Sequence, residues 1–84
     1  MTKEETRKMV AAGAAMLMQA QENLERFGRE NVDILLLCAQ EQLGDLTKAY
    51  LTLPMASATM RKELIHLGAL CVQMLVQVME EKSK

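Results

Sequence analysis

Apolar and small residues recur at three- and four-residue intervals through the first third of the chain, at Met9, Gly13, Met16, Leu17, Ala20, Leu24 and Phe27. That period draws one stripe along a helix. Thr2 stands three residues before Glu5, the spacing at which a hydroxyl and a carboxylate satisfy each other's backbone donors at a helix start. Gly28 can end the helix, so the pattern predicts a first helix over residues 3–27. Asn31, with Asp33 in the following turn, suits the start of a second helix over 32–53, because Pro54 cannot continue it and turns Leu53 away from helical geometry. A short turn from Pro54 to Ala58 follows. The third helix is predicted over 59–81, starting near Ser57 or Thr59, and Lys82, Ser83 and Lys84 are expected to fray.

The later helices carry more apolar residues than one stripe needs. Ile34 to Leu37 occupy the second, and Leu64, Ile65, Leu67, Leu70 to Val72, Met74 to Val76, Val78 and Met79 occupy the third. A helix that is apolar on several faces must be covered on several faces, and three helices cannot do that for one another. A chain of 84 residues is one domain, spanning residues 1–84. Such a chain buries only about 60–65% of the surface its unfolded form exposes. The predicted fold class is therefore all-α: a three-helix chain that assembles into an oligomeric helical bundle. The expected partner is the chain itself, as a dimer or tetramer.

Composition sharpens this picture. Half of the residues are hydrophobic, yet there is one Tyr, one Phe and no Trp, so the core must come from Leu, Val, Ala and Met, a mixture that favours helices. The formal net charge of −1 has no basic stripe behind it, and nucleic acid is not an expected partner. No helix is rich in the Arg, Lys, Asn or Gln of a recognition helix. Thr2, Lys3, Glu4 and Glu5 do not open a signal peptide, and no apolar run reaches the roughly 18–20 residues of a membrane span. A cytoplasmic protein without a membrane partner is expected. Cys38 and Cys71 lie in apolar runs with no ligand at metal spacing, and are expected to be reduced, buried and unreactive.

The polar residues within the apolar hairpin carry the candidate chemistry. Glu41, Gln42 and Asp45 crowd one turn of the second helix, and Glu63 and His66 share a face of the third. Facing carboxylates on a helical bundle can hold a hard divalent cation, while the plainer alternative is a solvated charged face. Glycine-rich phosphate loops and nucleophile constellations do not occur in the sequence.

The segment Glu41-Gln42-Leu43-Gly44-Asp45-Leu46-Thr47-Lys48-Ala49, followed by Arg61-Lys62-Glu63-Leu64-Ile65-His66, resembles the MazG-type nucleoside triphosphate pyrophosphohydrolases. Their pattern is Glu-Glu-x-x-Glu on one helix and Glu-x-x-Asp on the next. The resemblance covers about Phe27 to Met79. It implies Glu41, Asp45 and Glu63 as metal ligands, Gln42 and His66 as substitute or supporting ligands, Lys48 as a phosphate contact, Mg²⁺ or Mn²⁺ as cofactor, and a nucleotide as partner. Gln42 and His66 stand where the family has carboxylates, and Asp45 is shorter than the family's glutamate. Two anionic ligands are thus missing, and a nitrogen ligand suits Mn²⁺ or Zn²⁺ better than Mg²⁺. The expected function is a MazG-like pyrophosphohydrolase impaired by that loss. The alternatives are a non-catalytic oligomeric binding or regulatory module and a helical adaptor whose Met-rich surface docks a partner helix.

Overall fold

The computed structural model describes residues 1–54 and 57–82, and within them the chain forms three helices and no strand. They are α1 (Lys3–Phe27), α2 (Val32–Thr52) and α3 (Ala58–Lys82). Met55 and Ala56, in the expected Pro54 to Ala58 turn, lie outside the described residues, as do Ser83 and Lys84 of the expected frayed tail.

Local chemistry explains the ends. The Thr2 hydroxyl accepts from the Glu5 backbone N–H at 3.1 Å while the Glu5 carboxylate accepts from the Thr2 N–H at 3.3 Å, a reciprocal cap. Gly28 closes α1 at φ 73°, a left-handed value that side chains with a Cβ resist, and its N–H reaches the Leu24 carbonyl. Leu53 before Pro54 is extended, as the proline ring requires. The Ser57 hydroxyl accepts from the Met60 N–H at 3.1 Å and so caps α3.

Register follows from the cross-helix bonds. Gln42 pairs with Glu63, and Gln77 Nε2 donates to the Glu30 carbonyl at 2.6 Å, so positions on the two segments change in opposite senses and α2 runs antiparallel to α3. Asn23 Nδ2 donates to Gln73 Oε1 at 2.9 Å, and Met16 packs on Gly68, so α1 runs parallel to α3. Both outer helices pack on α3 and neither packs on the other among the described residues. The third helix in sequence is thus the middle of a three-helix layer.

This arrangement explains in part why α3 is so apolar. From Ala58 to Glu81 it is long and apolar enough to cross a membrane by length and composition, which corrects the expectation that no segment would be. Its place between two other helices accounts for only part of that composition, because just 11% of the apolar window is buried.

The layer buries little. Among the described residues Ala20, Leu35, Ala49, Met60 and Ala69 are the buried apolar ones, and Leu35 is the large side chain that is fully enclosed. Lys3 to Ala14 of α1 are exposed at every position, and the expected stripe residues Met9, Leu17, Leu24 and Phe27 remain exposed as well. The chain presents 6575 Å² of surface, against about 5,000 Å² for a compact monomer of its mass. Its radius of gyration is 14.2 Å, where about 12 Å is usual for this length.

Both cysteines are free, but Cys71 is exposed and Cys38 is half-buried, which overturns the expectation that both would be enclosed. Apolar neighbours in sequence surround Cys71 on all sides of the helix. Packing covers only the sides that meet α1 and α2.

Candidate functional site

Because α1 and α2 do not touch, a groove of about 340 Å³ opens between them with α3 as its floor. Cys38, Glu41, Gln42 and Asp45 line it from α2, Asn23 and Phe27 from α1, and His66, Leu70 and Gln73 from α3. Glu41 and Asp45 are exposed at the wall, whereas Gln42 and His66 are half-buried. Four of the five acidic, amide and imidazole positions singled out from the sequence therefore share one cleft.

The fifth, Glu63, stands apart from that cleft but is joined to it. Its carboxylate accepts a hydrogen bond from the Gln42 amide across the α2–α3 contact. Glu63 lines a shallower depression with Lys48, Thr52 and Thr59, which Asp45 also borders. Lys48 thus lies beside Asp45 and Glu63 and outside the groove that holds Glu41 and His66.

This donor set does not fit a divalent cation in the single chain. Among the described residues no three or more His, Cys, Asp or Glu side chains come together as a metal would require. One carboxylate oxygen of Glu63 is already engaged by the Gln42 amide N–H. The groove lining also contains Glu30, Glu41 and Asp45 but no Lys or Arg, so its field repels a polyphosphate.

Two groove residues, Asn23 and Gln73, and their neighbour Gln19 were not anticipated from the sequence. Gln19 Nε2 donates to Asn23 Oδ1 at 3.0 Å, Asn23 passes the chain to Gln73, and Gln73 is 7% exposed. These amides form a polar seam between α1 and α3. The available signal was Gln73 itself, a polar residue in an apolar helix seven positions after His66 and so on the same face.

The far end of the layer is clasped by the connection between α1 and α2. Arg29 meets Glu80 at 2.8 Å, and the Gln77 amide holds the Glu30 carbonyl. The hydrogen bond from Arg29 to the Glu80 carboxylate, with its charge, holds the guanidinium above its ordinary pKa.

The fold and groove define the chain as an all-α, three-helix layer with an acidic cleft between its outer helices. No family model, curated protein or solved structure matches it.

Proposed function

We propose that this chain is a self-associating helical module on the MazG-like plan, in which nucleoside triphosphate pyrophosphohydrolase chemistry is weak or lost. The observation that carries the reading is the groove. It gathers Glu41, Gln42, Asp45 and His66, four of the five positions the resemblance marks, while Glu63 is held by Gln42 and the lining has no Lys or Arg. Placement supports the plan, and the donor chemistry argues against turnover. A divalent cation that bridges to a triphosphate is held by net anionic ligands, and an amide and an imidazole at two of the positions supply none.

Self-association is supported by area. The surface in excess of a compact monomer is about 1,600 Å² per chain, twice the share one partner buries in a standard interface. Permanent homodimers use interfaces of that larger class, and apolar surface is their main content. Self-association suits either an active or an inactive module, and the donor set of the groove is what favours weak or lost chemistry.

The test is calorimetric titration with Mg²⁺ and Mn²⁺, followed by pyrophosphate release from a panel of nucleoside triphosphates. The native chain should bind neither ion tightly, and the pair Gln42→Glu with His66→Asp should raise metal affinity. Turnover by the native chain at about 1 s⁻¹ or faster, an ordinary enzymatic rate, contradicts the loss of chemistry. A restored pair that binds neither ion removes the support for the MazG-like plan.

A further inference from the structure

The side of the layer opposite the groove carries a continuous apolar surface. Leu64, Cys71, Leu75 and Val78 fall within about 60° of one another around α3 at 100° per residue. On α2, Leu36, Leu43 and Tyr50 recur at intervals of seven and lie across the α3 contact from Glu41 and Asp45, so they face the same side. All of these but the cysteine are between 46% and 58% exposed, and Cys71 is exposed too. The antiparallel register sets Leu36 near the level of Cys71 and Leu43 near that of Leu64, which makes one patch from two helices. Between Leu64 and Val78 no charged residue falls within that sector of α3.

We propose that this back face binds a second copy of the chain, with the two α3 helices antiparallel about a two-fold axis near Cys71. The inference deepens the self-association reading and rests on it. Three observations choose the occupant and the axis. The chain as a whole exposes more surface than a compact monomer, on the scale a permanent dimer buries, and the back face supplies an apolar share of it alongside the exposed Lys3–Ala14 of α1. On α3, Leu64 lies seven positions before Cys71 and Val78 seven after, so each copy can present Leu64 to the other's Val78. The ends of α3 carry opposite excess charge: Arg61 and Lys62 against Glu63 at the start, Glu80 and Glu81 against Lys82 at the finish. Antiparallel pairing brings unlike ends and opposed helix dipoles together, and parallel pairing brings like ends together. The flanking Leu36 and Leu43 of each copy then pack onto α3 of the other.

Cysteine cross-linking in the full chain tests both the face and the axis. With Cys38→Ser leaving Cys71 as the one thiol, mild copper–phenanthroline oxidation removes two electrons and two protons from a pair of thiols. A covalent dimer of twice the 9.4 kDa chain mass is expected. Glu25→Cys in the doubly cysteine-free background controls for collision and should not cross-link. In the same background, mixing Leu64→Cys with Val78→Cys should yield the mixed dimer and not the Leu64→Cys self-pair. Leu75→Lys, at an exposed position that leaves the fold intact by circular dichroism, should raise the dimer dissociation constant about a hundredfold or more in sedimentation equilibrium.

A dimer in sedimentation that neither cross-links through Cys71 nor responds to Leu75→Lys overturns this face while self-association stands. A monomer at every concentration overturns both. Transfer of the native chain to phosphatidylcholine–phosphatidylglycerol vesicles, with no dimer in their absence, overturns the proposal in favour of a lipid surface.

Discussion

The two sides of α3 use the same helix for opposite ends. On the groove side His66, Leu70 and Gln73 mix polar with apolar groups, and Gln73 is drawn into a bond with Asn23 of α1. On the back side Leu64, Cys71, Leu75 and Val78 are apolar without exception, and they stay exposed. Composition alone would rank the back side as the better core. Packing within the chain goes instead to the flanks, where α1 and α2 lie, so apolarity along α3 does not by itself locate the core.

The comparison breaks most sharply at Leu35, which is 1% exposed and borders the groove. Leu35→Ala should cost about 2–5 kcal/mol in urea unfolding, because it removes the one large enclosed side chain and leaves a cavity. Replacing exposed Leu75 by Ala should change unfolding by far less at concentrations where the chain is monomeric. Equal effects would mean that the back side is covered as thoroughly as the α2 wall of the groove.

Gly68 gives the next largest effect. A Cβ at that position would lie 2.7 Å from the Met16 Cγ and Cε, so Gly68→Leu should destabilise by about 1–3 kcal/mol through overpacking between α1 and α3. Gly44 has nothing within 4 Å of the same construction, and Gly44→Ala should stabilise α2 by about 0.5–1 kcal/mol through helix propensity. Urea midpoints that move in the same direction for both would contradict the close α1–α3 approach.

At the polar seam, Gln73→Leu leaves the Asn23 amide without its partner and should cost about 1 kcal/mol, read from the same denaturation curves. No loss would show that water replaces the bond.

The smallest effect belongs to Arg29, whose ion pair with Glu80 is half exposed and therefore screened. Its raised pKa means that any stability the shift supplies is fully present below the ordinary arginine value and is lost only as pH rises through the folded value above it. Arg29→Gln should therefore alter unfolding by the same small amount at pH 6 and pH 9, and a difference between the two would implicate another group.

Much of the secondary structure was legible because its causes are local. The reciprocal cap at Thr2 and Glu5, the left-handed Gly28 and the restriction that Pro54 places on Leu53 each act within a few residues, so the expected helices differ from the observed ones by about one residue at their ends. The groove was partly legible for the same reason. Glu41 and Asp45 share a face by their spacing on α2, as His66 and Gln73 do on α3, but whether the two faces meet depends on the register between helices. That register placed Glu63 against Gln42 and sent Lys48 to a neighbouring depression.

What the sequence determined by itself is therefore the number, length and ends of the helices, and the fact that α2 and α3 carry more apolar surface than their own chain can cover. Only the tertiary structure decided that α3 lies in the middle, that α1 and α2 part to open a groove, and that Cys71 faces outward. The physical reason is range. Caps and backbone restrictions are settled over one helical turn, whereas the burial of a side chain depends on which of several apolar faces a distant helix happens to meet.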